Sequence, residues 1–451
     1  MCDPEITVYI PSHNYGAYLK AAVESVLRQT RGSWELLIIN DNSLDQTPQI
    51  MELYKCDERI RLFHTKGIGL PSVCNLALRE AKGKYLIRLD GDDVFDENIL
   101  LVLSNYLQNN RGYDLVFPDY YLMDESGEIL SQERREKIYD KNHVLDVPAN
   151  GACSLIRVET LNKIGGYRED LGSQDGYDLW NKVLSQGKCM NVNLPLFYYR
   201  RHTSNLTNKS QRILSAKRRI KSDSIQSKIE DSRPIIGVIP TRKNYDFIPD
   251  LWKAKINGRR LLDIGIQKCM ESQYFDKIIV ASDNPEVKSE LERHEDERLS
   301  FFARDTKETI RSCSIAKTLE QISSLHDSKR QGVTMLSYIH TPFVTTETME
   351  EALFTLLLND SDSAFGLEKF NHPLYRRSAH GLEAINPPKV MTIDFETVFV
   401  DSQTAMATKT INFPKGSLTG SMISNFIVSE DECFVINSNQ SLRIAQTIMA
   451  Q

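Results

Sequence analysis

The feature that most limits how this chain can fold is a pattern near its start: short apolar runs that each end in a polar cluster and hand over to a helical periodicity. Ile6–Ile10 leads into the turn Pro11–Gly16, after which Leu19, Ala22, Val23, Val26 and Leu27 recur at helical spacing. Leu36–Ile39 leads into the turn Asn40–Asp45, followed by a helix around Thr47–Tyr54 and a short strand at Ile60–Phe63. A helix near Ser72–Ala81 precedes Tyr85–Leu89, which runs straight into Asp90-Gly91-Asp92-Asp93. Strand, helix, strand at these lengths predicts a parallel sheet with crossover helices. Ligands of such sheets bind beyond the carboxyl ends of the strands. The clusters Ser12–Tyr15, Asn40–Asn42 and Asp90–Asp93 all fall there.

At 451 residues the chain exceeds one ordinary core. The break comes after residue 203, where Lys209, Arg212, Lys217, Arg218, Arg219 and Lys221 occur with no acidic residue before Asp223. We read 206–233 as a basic, helical linker; Ile213, Leu214 and Ile220 form a thin apolar stripe, and a peripheral membrane contact is the sharper alternative. A fresh strand at Ile235–Ile239, then Ile278–Ala281 and Thr334–Tyr338, with helices near Leu261–Met270 and Thr346–Leu358, predicts a second α/β domain over 234–451. A first domain then occupies 1–205. With 41% hydrophobic and 26% charged residues, the chain reads as a soluble globular protein. A formal net charge of −6 argues against nucleic acid as a partner. None of the eight cysteines sits in a C-x-x-C pair, no apolar run reaches a membrane span, and MCDPEITVYIP lacks the regions of a signal peptide. The expectation is a cytoplasmic enzyme.

Asp90, Asp92 and Asp93 put three carboxylates in four residues after a buried strand. Like charges at that density need a counter-charge, which a divalent metal supplies; an Asp-rich turn that caps the next helix is the plainer alternative.

The segments VYIPSHNYGAYLKAAVESVLRQT, ELLIINDNSLDQT, GIGLPSVCNLALREAKGKYLIRLDGDD and GYREDLGSQDGYDLW together resemble glycosyltransferase family two, in that family's order and spacing, over about residues 5–205. The resemblance implies a GT-A fold, a nucleotide-sugar donor, Mn²⁺ or Mg²⁺, and inversion at the anomeric carbon. It implies that Pro11, His13 and Asn14 lie against the donor base and that Asp41 reads it, with Asn40 standing where the family usually has aspartate. Asp90 and Asp92 match the outer positions of the family's D-x-D around Gly91, the first near the ribose and the second on the metal. Cys74-Asn75 stands in place of an Arg-Asn step, which implies that one phosphate or base contact is either missing or supplied elsewhere. Asp175 matches the general base, with Asp178 the runner-up that only caps or braces its helix. Arg200 and Arg201 match basic groups that reach the diphosphate, and His202 a residue that joins the metal; a surface basic cluster explains the arginines nearly as well. The implied acceptor is a hydroxyl on a glycan, a lipid-linked sugar or a protein.

The run VIPTRKNYDFIPDLWKAKINGRRLL and later stretches such as FDKIIVASDNPEV and SYIHTPFVTTETMEEAL resemble CMP-sialate synthetases, so two Rossmann-like domains are expected. The resemblance keeps Arg242 and loses chemistry. Lys243–Asp246 replaces a glycine loop, and Val435 and Asn437 stand where the family's metal-binding aspartates fall. This domain therefore reads as a non-catalytic relative. Its family's dimers imply a homo-oligomer through this half. A bifunctional CMP-sugar synthetase and glycosyltransferase, and a non-catalytic glycan-assembly scaffold, are the alternatives.

Overall fold

The computed structural model describes residues 3–135, 151–171, 175–202, 210–310, 313–370, 373–379, 381–386 and 398–448. The chain divides into two compact units, Met1–Ile220 and Lys221–Gln451, each built from a mixed α/β sheet.

In the first unit the strands are β1 (Ile6–Ser12), β2 (Trp34–Asp41), β3 (Ile60–Thr65), β4 (Tyr85–Arg88), β5 (Val94–Phe95), β6 (Leu115–Met123), β7 (Ile129–Glu133), β8 (Leu155–Arg157) and β9 (Cys189–Arg200). They lie in the order β3-β2-β1-β4-β8-β6-β9-β5, with β7 on the side of β6. Strands β1, β2 and β4 are buried from end to end, as strands covered on both faces must be. Their alternate residues feed two cores. Ile6, Val8 and Ile10 join Leu19, Val23 and Val26 on one face, while Tyr9, Leu37 and Ile39 join Val73, Ala77 and Trp180 on the other.

The first four strands are parallel, which aligns their carboxyl ends: Ser12 stands opposite Asn40, Asp41 opposite Thr65, and Tyr9 opposite Arg88. Beyond β4 the sheet departs from the parallel expectation. Strand β8 runs antiparallel to both β4 and β6, and β5 antiparallel to β9. The last pairing matters most for the site. Val94, next after Asp93, pairs with Tyr198, so the end of β9 is delivered onto the Asp90–Asp93 turn.

Helices Ser210–Ser224 and Gln226–Asp231 occupy the stretch read as a linker, and the boundary between units falls within the first of them. Ile220, from the thin apolar stripe, is buried with Leu171 and Tyr177 in the first unit; the side chains of Ile213 and Leu214 lie outside the described residues. No helix among the described residues is long and apolar enough to cross a membrane.

The second unit has a seven-stranded sheet. Leu299–Ala303, Lys277–Ser282, Ile235–Pro240 and Val333–Leu336 are parallel neighbours in that order. Val398–Lys409 then runs antiparallel to Val333–Leu336, and Ser363–Phe370 and Ile423–Ile427 complete the sheet. Helices Leu261–Glu271 and Thr346–Leu358 pack into one core, and Ala316–His326 into the other.

Candidate active site

The three polar clusters meet at the carboxyl ends of β1, β2 and β4. The first two turns are stitched together. The Nδ1–H of His13 donates to the Asp41 carbonyl at 2.6 Å, Leu44 N–H donates to Asn14 Oδ1 at 2.8 Å, and Asn14 N–H to Ser43 Oγ at 2.9 Å. Asn14 and Asn42 hold left-handed backbone, φ 60° and 59°, a conformation that asparagine tolerates better than most residues. Pro11 lends its carbonyl to the floor beneath Gly91, where an added Cβ would sit 3.3 Å from that oxygen and 3.5 Å from Ser12 Oγ. Glycine at 91 is what lets the D-x-D turn lie on the first turn.

Asp41 points into the loop after β3. Its Oδ1 accepts from Thr65 Oγ1 at 2.5 Å and Ile68 N–H at 2.7 Å, and its Oδ2 from Gly69 N–H at 2.8 Å. Burial by itself would raise its pKa. The hydrogen bonds from Thr65 and the Ile68, Gly69 and Gly67 amides outweigh it, so the carboxylate is held below its ordinary value. Asn40 braces the same region, taking Ser43 N–H on Oδ1 and donating from Nδ2 to His64 Nδ1.

On the D-x-D turn the three aspartates have separate surroundings. Asp90, partly exposed, pairs with the buried Arg88 at 2.9 Å. Asp92 is buried and its Oδ2 lies 2.9 Å from His202 Nε2. Asp93 is buried too: its Oδ1 accepts from Arg200 N–H at 3.0 Å and its Oδ2 has no hydrogen-bond partner among the described residues. Burial first, then the charges of Asp92 and Asp90, push the Asp93 carboxyl well above its ordinary range.

The ring of His202 is stacked on Tyr18, centroids 5.3 Å apart, and meets Tyr15 edge-on at 5.8 Å. Tyr15 and Tyr18 flank the start of helix Gly16–Leu27 and form the seat on which His202 faces Asp92. Sequence reasoning passed over both; their three-residue spacing at a helix start was the available signal. Arg200 is turned inward. Its guanidinium donates to the main-chain carbonyls of Asp92, Asp124 and Glu125 and lies 5.0 Å over the Tyr18 ring. Arg201 is exposed, with its N–H on the Met123 carbonyl.

Asp175 is the first residue of helix Asp175–Gln186, and its side chain lies outside the described residues. Asp178, the runner-up for the base, is buried and paired with Lys182 one turn on, at 2.7 Å. Asn75 has a use that the sequence did not reveal. It donates to the Tyr167 carbonyl and to Glu169 and accepts from Tyr167 N–H, clamping the Gly165-Gly166 turn to its helix.

Among the described residues no group of three or more His, Cys, Asp and Glu is placed to hold a metal by itself. Asp92 and His202 nevertheless suit a hard divalent cation that keeps several non-protein ligands. They offer one carboxylate and one imidazole beside a turn where three carboxyls crowd together, which, after burial, is what raises the Asp93 carboxyl.

Residues 7–165 match the family model Glycosyl transferase family 2. The N-terminal unit carries a family 2 glycosyltransferase domain. An uncharacterized glycosyltransferase of Rickettsia bellii is 29% identical over 188 residues, covering 40% of this chain and 27% of that protein. A chondroitin synthase of Escherichia coli is 26% identical over 191 residues, covering 42% of this chain and 28% of that one. The chain thus spans between a quarter and a third of the length of these relatives. Of solved structures, S. aureus TarS 1–349 in complex with UDP-GlcNAc overlaps 49% of this chain and 67% of its own, at 17% identity and TM-score 0.41.

Proposed function

We propose that the first unit moves a sugar, with inversion, from a nucleotide-sugar donor to a hydroxyl acceptor, using Mn²⁺ or Mg²⁺ held by Asp92 and His202. The observation that carries this reading is the pairing of those two side chains at the carboxyl end of β4, beside the turns that hold His13, Asn14 and Asp41. When bound, the cation neutralises charge on the leaving diphosphate. Asp90 faces the ribose, and the Pro11–Asn14 turn bounds the base. Asp41, ionised and tied to Thr65, Ile68 and Gly69, bounds the base both directly and through that loop. Arg201 takes a phosphate oxygen, whereas Arg200 orders the D-x-D turn. Asp175 removes the acceptor's proton as its oxygen attacks the anomeric carbon.

We also propose a role in bacterial surface or flagellin glycan assembly, with a glycan, lipid-linked or protein acceptor. The second unit is a cytidylyltransferase-like domain without its own catalysis that pairs two chains. Calorimetric titration of UDP- and GDP-sugars into the full chain, with and without Mn²⁺, tests the central claim. Donor binding that ignores both the metal and an Asp92→Asn substitution would remove Asp92 from the metal site.

A further inference from the structure

Helix Leu70–Glu80 starts at the contacts that hold Asp41. The N–H groups of Ile68 and Gly69, just before its first residue, donate to the Asp41 carboxylate at 2.7 and 2.8 Å. The helix start is therefore fixed to the carboxyl end of β2. Its inner face is fixed to the sheet, where Val73 and Ala77 share a core with Tyr9, Leu37 and Ile39.

Farther along, the same helix grips the segment Gly165–Glu169. Asn75 Nδ2 donates to the Tyr167 carbonyl and to Glu169 Oε1, both at 2.8 Å, and Asn75 Oδ1 accepts from Tyr167 N–H at 2.9 Å. Ser72 Oγ donates to Glu169 Oε2 at 3.0 Å. These bonds, Asn75 first and then Ser72, hold the Glu169 carboxylate below its ordinary value. The approach is close. A Cβ on Gly166 would stand 2.6 Å from Asn75 Oδ1, and the φ of 66° there favours glycine.

The other side of that turn is held by the helix that Asp175 opens. Lys182 Nζ donates to the Gly166 carbonyl at 3.2 Å, and Lys182 stands about two turns after Asp175. Leu179, Trp180 and Val183 of that helix pack with Tyr167, Val73 and Ala77 in one core. The Gly165-Gly166 turn is thus a spacer between two helices, bonded to Asn75 on one side and Lys182 on the other. Both Nδ2 hydrogens of Asn75 are used within the protein, so the residue acts on this spacer and not on a ligand.

We propose that Asn75 is a positioning residue for the transfer step. Through the Gly165-Gly166 turn and Lys182, it sets the helix that carries Asp175 against the helix whose start holds Asp41. The inference rests on the reading of Asp175 as the base.

The test is a double-mutant cycle in the full chain with Asn75→Asp, Asp175→Asn and both together. UDP-N-acetylglucosamine and GDP-mannose serve as donors, with N-acetylglucosamine and mannose as hydroxyl acceptors, and turnover is read as nucleoside diphosphate release. Asn75→Asp keeps the shape, loses both donated hydrogen bonds and sets a carboxylate against Glu169. It should lower kcat on the order of 10- to 100-fold, as a small misplacement of a reacting group does, with KM and Mn²⁺-dependent donor affinity nearly unchanged. In the Asp175→Asn background the same change should lower kcat little further, because the group it positions is gone. Adding Glu169→Gln to Asn75→Asp removes the repulsion and should restore part of kcat. A second measurement needs no turnover: amide hydrogen exchange in residues 175–186 should quicken in Asn75→Asp while β1, β2 and β4 keep their protection. Unchanged exchange there, an unchanged kcat, or losses that multiply in the double variant would overturn the proposal and leave Asp175 as the base. Full turnover by Asp175→Asn alone would remove the base reading, and the proposal with it.

Discussion

His202 Nε2 lies 2.9 Å from Asp92 Oδ2, although the two residues are 110 positions apart in the chain. The antiparallel pairing of Val94 with Tyr198 brings them together, and the Tyr15 and Tyr18 rings hold the imidazole in place. The pair sets one carboxylate and one imidazole side by side at the carboxyl end of β4.

From this pairing, Asp92→Asn and His202→Ala should each weaken Mn²⁺-dependent donor binding, by at least ~10-fold for the histidine and ~100-fold for the aspartate. The aspartate change removes a charge as well as a ligand, so it should be the larger. Titration of Mn²⁺ at saturating donor, read by heat or by donor hydrolysis, checks the order. A reversed order would mean that the charge of Asp92 is not what holds the cation.

The role of Asp41 yields a pH-dependent outcome. Its folded pKa is depressed, so its contribution to stability is present above the unfolded value of about 4 and is lost as pH falls through the lower folded value. Asp41→Asn should cost roughly 1–3 kcal/mol at pH 7, because an amide group then faces the Ile68 and Gly69 N–H groups. Urea unfolding at pH 7 and at successively lower pH should show that gap narrowing through the acid range. A gap independent of pH would mean that the charge does no work there.

How much of this was legible in the sequence follows from the range of each interaction. Strands β1, β2 and β4 are runs of buried apolar residues ending in polar turns, so both their existence and the clustering of Ser12, Asp41 and Asp90 could be read locally. The role of Asp41 as an acceptor for Ile68 and Gly69 could not, because the donors are main-chain groups that any sequence offers. The mixed half of the first sheet was also hidden: β6 pairs with β9 through register shifts around Asp119, which blur the alternation of side chains. In the second unit, Val398–Lys409 has a core of Ser, Thr and Ala, without the β-branched apolar pattern that advertises a strand. His202 and Asp92 were connected only through a family resemblance, since nothing local links positions so far apart.

Asp175 opens helix Asp175–Gln186, while Asp178 is neutralised by Lys182. Asp175→Asn should therefore lower the transfer rate by ~10²–10⁴-fold with donor affinity nearly unchanged, as loss of a general base does. Asp178→Asn should instead lower the melting temperature, with a smaller effect on rate. Transfer assays beside donor titrations separate the two, and full activity in Asp175→Asn would move the base elsewhere.

Lys221 and Glu351 form an ion pair whose side chains are 4% and 3% exposed, with Thr355 Oγ1 as a further acceptor for the ammonium. Removing one partner leaves a charge in a dry site. Glu351→Gln should cost ~3–5 kcal/mol, whereas the double change Lys221→Met with Glu351→Leu should come close to neutral. Chemical denaturation of the two variants measures this directly, and equal losses would show that packing, not charge, is what the pair supplies.

The last prediction concerns what the second unit does not do. On the resemblance read from the sequence, Val435 and Asn437 fall at the positions where CMP-sialate synthetases would keep metal-binding aspartates. Main-chain contacts hold this segment: Ile436 N–H donates to the His340 carbonyl and Asn437 N–H to Ser441 Oγ. Neither side chain brings the negative charge that fixes Mg²⁺ against a triphosphate. The nearest acid in sequence that is buried, Glu432, is already spent on Thr345 and Ser429. The full chain given CTP, Mg²⁺ and nine-carbon sugar acids should therefore release no pyrophosphate above a no-enzyme control. Asp92→Asn should be silent as well. Release that requires both sugar acid and metal, and persists in Asp92→Asn, would place a second catalytic centre in Lys221–Gln451 and make the chain bifunctional.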